Sequence, residues 1–347
     1  MVSPLRPASL ALTASLALLA GCMTAPEQST GVAGADGAAV FVANKRGNTL
    51  TRIALSTGYK TAEVPSCTNP HELATSPDGR HVALACYGGT TVALFDTVTL
   101  ATVTAIDLGD KARPHGIEWH ANGSIYVTAE GRQSIFRIVD PLGAKPDLLE
   151  FSTGQPGSHM LTVSPDGRHA WTTDLGAGTV TLVDLVTRRA PRSVKVGLEP
   201  EGIDLSPDGK ALWVSARRSD KAIELDPMTL AVRREVPTGR FPLRLAIRPQ
   251  GDVAVTSDLA DGSLSIVSLD RAETIRTIAV SSPDEAEQRQ QVTILWSGDG
   301  RRIYVAETGT DTVAEVDYAS GKVLRRLAAG EGGDGLAILP QASGGNR

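Results

Sequence analysis

Three of the six histidines in this 347-residue chain occupy one repeating register: His71, His115 and His159. Each lies eight residues before the glycine of a turn, Gly79, Gly123 and Gly167. The same register holds Glu201, Leu243 and Val292 in later copies, and Asp334 near the C-terminus. If the copies surround one axis, Asp334, His71, His115, His159 and Glu201 come from five consecutive units and meet at one end of it. Imidazoles converging with a carboxylate suit Zn²⁺ or Cu²⁺, with His71, His115, His159 and Glu201 as the ligand set. The same residues could instead form an acid–base cluster for a small substrate. A third reading is a row of polar side chains wetted by channel water.

Two cysteines stand near the first of these histidines. Cys67 falls in the loop entering the strand of His71, and Cys86 ends the strand that follows. In an oxidising compartment a disulfide is the simplest account, and a thiolate contribution to a metal at His71 is the alternative. No CxxC or CxxCH occurs, which removes the usual redox motif and covalent haem attachment. Glu130, Asp174, Asp258 and Glu307 end other second strands. They are expected to cap turns and to make the mouth electronegative. His81, His120 and His169 fall at turns of the opposite face and read as surface residues. Gly-x-Ser-x-Gly, P-loop and dinucleotide-binding fingerprints are missing.

The elements that must position these residues are repeats. Ser76-Pro77-Asp78-Gly79 returns as Ser164-Pro165-Asp166-Gly167 and Ser206-Pro207-Asp208-Gly209, with degenerate copies at 121–123, 249–251 and 298–300. Counting Asp36-Gly37, seven turns appear, with glycine-to-glycine spacings of 42, 44, 44, 42, 42 and 49. Such a period is consumed by four short strands and their turns. The full unit has an apolar strand, a turn in which Pro, where present, sets φ and Gly takes the left-handed position, and three further strands. Thr179–Asp184 shows the period-2 alternation, and no window sustains a helical period. The first unit lacks an inner strand, and residues 335–340 repeat that phrase after the last unit. The expected fold is all-β: a seven-bladed β-propeller of four-stranded antiparallel blades, closed by a C-terminal strand that completes blade 1.

Phrases such as SPDGKALWVSARRSDKAIELDPMT and GDGRRIYVAETGTDTVAEVDYASGKVLRRLAAG resemble the YVTN-type β-propeller repeats of bacteria and archaea, also described as lactonase-like or surface-layer-type. The resemblance runs from Ala39 to Pro340 and implies a propeller outside the cytoplasm. It implies little chemistry, because fold alone does not supply function. Three functions follow for testing: a binding module for a protein, glycan or small ligand at the loop-rich face, a metal-binding or metal-delivery propeller, and a lactonase-like hydrolase or lyase.

The chain begins with Arg6, then thirteen uncharged residues from Ala8 to Ala20, then Gly21-Cys22. The run is short of the roughly 20 residues that span a bilayer. It resembles a bacterial lipobox, which implies a signal peptide over 1–21 and a lipidated Cys22. Each buried CH₂ of an acyl chain contributes about 0.8 kcal/mol, enough for three chains to anchor the protein. Met23, rather than Asp, favours the outer membrane by the same resemblance. Residues 22–35 read as a tether, 36–340 as the propeller and 341–347 as a disordered tail. The formal charge is −5, or −6 without the one Arg of the leader, which opposes nucleic-acid binding. A monomer is expected. Cys22→Ala should abolish incorporation of labelled palmitate and release the chain from bacterial membranes; label that persists would sink the lipobox reading.

Overall fold

The computed structural model describes residues 37–339. The leader, Cys22, the tether, Asp36 and the tail lie outside the described residues. Seven four-stranded antiparallel sheets follow one another along the chain. Their inner strands are Gly333–Leu339 for blade 1, then Pro70–Thr75, Pro114–Trp119, Ser158–Val163, Pro200–Leu205, Pro242–Ile247 and Gln291–Trp296. Each inner strand touches those of both neighbours, and the sequence of contacts returns to its start. The fold is therefore a closed, all-β, seven-bladed propeller. Gly333–Leu339 pairs antiparallel with Ala39–Asn44, so the C-terminal strand completes blade 1.

The turn motif explains why the strands break where they do. Ser76 Oγ donates to Asp78 Oδ1 at 2.6 Å, the Arg80 N–H donates to Asp78 Oδ1 at 3.0 Å, and the His81 N–H donates to Ser76 Oγ at 2.9 Å. Gly79 takes φ +71°. The Ser164–Asp166 and Ser206–Asp208 pairs repeat this lock. Ser297–Asp299 does so too, although the proline between them has been lost.

Hydrophobic residues gather between blades rather than at the axis. Seven buried clusters occur, one at each interface between neighbouring blades. The interface that closes the ring packs Val40, Val42 and Ile53 of blade 1 against Tyr304, Ala306 and Val313 of blade 7. It is built like the other six, so alternation on both sheet faces is used in every blade. The long spacing of 49 has its own cause: a helix, Pro283–Arg289, interrupts the link between blades 6 and 7. The Ser282 N–H donates to the Glu285 carboxylate at 3.2 Å, half of a capping box. This helix and a 3₁₀ turn at Glu130–Arg132 are the helical segments among the described residues.

At the axis, neighbouring backbones come close enough to exclude a side chain. A Cβ on Gly335 would lie 1.9 Å from the His71 carbonyl oxygen, and one on Gly116 would lie 2.7 Å from that of His159. Glycines thus stand beside the larger residues of the next blade. Gly335→Ala is expected to cost about 1–3 kcal/mol of stability through this overlap. A urea midpoint equal to the wild type's would contradict so close an approach.

Candidate functional site

A local irregularity in each blade makes the site. In all seven blades the pairing of the inner strand with its neighbour shifts register across the first residues, from Gly333 to Leu336 in blade 1, from Pro70 to Leu73 in blade 2 and from Pro114 to Ile117 in blade 3. The same shift occurs in blades 4 to 7. Bulges release residues from the ladder and re-aim their side chains. His71, His115, His159, Glu201, Leu243 and Val292 all lie within these shifts. The residue just before each inner strand has positive φ in every blade: Asn69, Arg113, Gly157, Glu199, Phe241, Gln290 and Gly332. A left-handed step followed by a bulge therefore turns the register toward the channel mouth.

There the five ionisable residues of the register come together. They line a cavity of about 440 Å³ with Lys45, Arg217, Phe241, Leu243, Arg244, Leu259, Val292 and residues of the nearby loops. His115 lies between the other two histidines, its ring centroid 4.7 Å from that of His71 and 3.7 Å from that of His159. His71 Nδ1 is 3.1 Å from Asp334 Oδ2 but out of line for a hydrogen bond. His159 Nδ1 is 2.5 Å from Glu130 Oε1, and its Nε2 is 3.4 Å from Glu201 Oε1. His159 is thus held between two carboxylates and His71 lies beside one, whereas His115 has no carboxylate and its buried Nδ1 has no partner.

Several members of the site were not foreseen from the register. Arg244, one position further along the inner strand of blade 6, donates from Nη1 to Glu201 and from Nη2 to Glu72 Oε1 of blade 2 at 2.7 Å. Arg217 also donates to Glu201, and Lys45 Nζ lies 3.4 Å from Asp334. Tyr87 packs 4.6 Å from the His71 ring and donates its hydroxyl proton to Glu130 at 2.8 Å. Burial and Glu130 push the Tyr87 phenol up to about 12. Hydroxyls of the second strands fix the backbone behind the register: Thr128 donates to the His159 carbonyl, Thr173 to that of Glu201 and Ser257 to that of Val292. An alignment of the third inner-strand position would have exposed Glu72 and Arg244.

The strand-end acids divide. Glu130 reaches the site. Asp174 is enclosed by four hydroxyls within its own blade, and Asp258 by those of Thr256 and Ser265. Glu307 is taken by Thr312 and Arg326. The electronegative mouth expected from these four is therefore corrected: three are buried and satisfied, and Lys45, Arg217 and Arg244 bring cations instead. His120 is also corrected, since it is buried, with Nε2 3.1 Å from the Ser164 carbonyl of the next blade. Cys67 and Cys86 form a disulfide that ties the loop entering the His71 strand to the strand before Tyr87. Among the described residues no set of three His, Cys, Asp or Glu side chains is grouped to hold a metal ion. The register is instead interleaved with guanidinium groups.

The environments pull equivalent imidazoles apart. Burial, then the charges of His159 and His71, holds His115 well below the usual imidazole range. Burial acts the same way on His159, but the hydrogen bonds to Glu130 and Glu201 overcome it and raise its pKa. Burial pushes the Glu201 carboxyl up, yet Arg244 and His159 outweigh it and bring it down to about 2. Asp334 reaches about 2 in the same way through His71 and Lys45. His115 is thus held neutral, its ring 3.7 Å from and tilted 30° against that of His159, which takes a proton more readily. A larger groove of about 540 Å³ lies on the opposite face around Trp119, Asn122 and Arg137. It has no comparable set of coupled groups, so the mouth is the candidate site.

The molecule is thus a propeller with an ionised, partly apolar cavity at one channel mouth. No known family profile matches the chain, and no curated protein does. Solved structures share the fold. A functionally unknown protein from Desulfotomaculum acetoxidans is 12% identical, with a TM-score of 0.69 over 87% of this chain and 99% of its own. A streptogramin B lyase is 17% identical, with a TM-score of 0.65 over 78% and 87%. A catalytically inactive histidine-to-alanine variant of virginiamycin B lyase from Staphylococcus aureus, solved with quinupristin, is 13% identical, with a TM-score of 0.64 over 84% and 88%.

The charge states fix how stability should vary with pH. His115 refuses a proton that the unfolded chain accepts below about 6.5, so stability falls as pH drops through that value. Glu201 and Asp334 add loss as pH falls from about 4.5 toward about 2. The contribution of His159 is complete below 6.5 and fades as pH rises through its raised value. Urea midpoints measured from pH 5 to 8 should therefore decline on both sides of this region. His115→Asn should flatten the acid side; an unaltered acid slope would show that His115 is not held neutral.

Proposed function

We propose that the protein is an envelope-anchored propeller that binds a small molecule at the channel mouth and acts on it by proton transfer. The observation that carries this reading is the split of two adjacent imidazoles, with neutral His115 3.7 Å from His159, which is held between Glu130 and Glu201. General base and general acid are then adjacent before any ligand arrives. His115 takes a proton from carbon beside a carbonyl, the bond to a leaving oxygen breaks, and the His159 imidazolium protonates that oxygen. Exchange with water restores both rings. This is an elimination, the reaction class of a lyase.

The cavity walls support acid–base chemistry over covalent catalysis. The one hydroxyl among the lining side chains is that of Thr308, which donates to the Gly333 carbonyl. No serine or cysteine among the described residues lines the cavity. The fold shared with lyases agrees with the proposal, and the lipobox and YVTN-type phrases support the envelope location. A pure binding module remains the contrasting reading, and turnover separates the two.

A panel of lactones and β-acyloxy esters in D₂O, followed by NMR, reads both elimination and exchange of the carbon-bound proton. Wild type is expected to act on at least one member. His115→Asn should slow that reaction by about 10²–10⁴-fold. An equal rate in the variant would remove His115 from the chemistry, and binding without exchange or elimination would favour the binding module.

A further inference from the structure

The register that supplies the ionisable residues is broken in two consecutive blades. Leu243 and Val292 stand where the other five blades carry His, Glu or Asp, and both are buried. Phe241 and Leu259 extend the same side of the cavity. One wall is therefore apolar and the opposite wall carries the histidines.

Phe241 is placed there at a conformational cost. It has φ +60°, a region that bulky residues rarely enter. The equivalent positions hold Asn69, Gly157 and Gly332, which tolerate it, and Arg113, Glu199 and Gln290, so Phe241 is the one aromatic ring among the seven. The conformation is held by the Phe241 N–H donating to Asp220 Oδ1 at 2.8 Å and the Leu259 N–H donating to the Phe241 carbonyl at 3.0 Å. The Arg217 guanidinium lies over the ring, 5.2 Å from its centroid. Strained residues that the surroundings hold in place are concentrated at ligand sites.

The buried charges of the cavity are already matched, and exposed Glu287 at its rim adds a negative one. Arg217 sits on Glu199 and Glu201, Arg244 on Glu72 and Glu201, and Lys45 on Asp334. An ionic ligand would have to displace one of these partners. What stays open is hydrogen-bonding capacity on groups whose charge is already matched or absent: buried His71 Nδ1, His115 Nδ1, Arg244 Nε and Asp334 Oδ1 have no partners. Such atoms favour a polar head that carries no net charge.

We infer that the cavity takes an uncharged carbonyl compound with a flat apolar body, the body lying against Phe241, Leu243, Leu259 and Val292 and the carbonyl facing the histidines. This rests on the mouth being the binding site, and it adds that Phe241 sets specificity. Three probes separate the parts: methyl 3-phenylpropanoate, its anion 3-phenylpropanoate, and methyl acetate. Calorimetry on the mature chain at pH 7 should find methyl 3-phenylpropanoate bound at least tenfold tighter than either of the others. Phe241→Asn keeps a residue suited to the left-handed backbone and should cut the preference for methyl 3-phenylpropanoate over methyl acetate at least tenfold.

Equal or tighter binding of the anion would overturn the inference. So would an unchanged preference in Phe241→Asn, or no binding of any probe. Affinity is the readout, so methyl 3-phenylpropanoate binding as expected while no lactone or β-acyloxy ester of the panel is turned over would sink the proton-transfer reading and leave this one standing.

Discussion

Everything at the channel mouth depends on ring closure. The pairing of Gly333–Leu339 with Ala39–Asn44 brings the last strand to the first blade, and with it Asp334 to His71. Seven apolar interfaces of similar construction hold the ring, so no single interface dominates. The axis itself carries little apolar packing, which leaves its first residues free for polar use. Radial repetition thus separates stability, which resides between blades, from chemistry, which resides at the mouth.

Closure also sets an electrostatic requirement. Charged groups taken out of water must be paired and hydrogen-bonded. Arg244 meets this by joining Glu201 of the adjacent blade to Glu72 across the channel. Glu201 in turn receives Arg217 and approaches His159. Because each carboxylate is already shared, the central imidazole is left without one. Neutral His115 follows from the stoichiometry of the network as much as from its burial. The Cys67–Cys86 disulfide braces the blade that carries His71 and Tyr87, at the edge of this stack.

The seven turns, their spacing and the orphan final strand together specified an all-β ring, because Pro-Asp-Gly chemistry is local and recurs visibly. Two helical pieces escaped this reading. One of them, opened by Ser282-Pro283-Asp284-Glu285, carried a capping-box signature that the search for sustained periodicity passes over. The register His71, His115, His159, Glu201 and Asp334 was legible too, since copies equivalent in sequence occupy equivalent places about an axis. Lipidation at Cys22 stands on sequence alone.

What tertiary structure decided was the partner of each residue. Glu130 and Asp174 look alike as strand-end acids, yet one reaches His159 and the other is enclosed by hydroxyls of its own blade. Arg244 and Glu72 are 172 residues apart and belong to blades that are not neighbours. The sequence by itself determined which residues share a level of the ring, because repeats impose equal spacing. Only the folded ring decided which of them touch, because contact across a channel depends on side-chain length and direction, and neither is periodic.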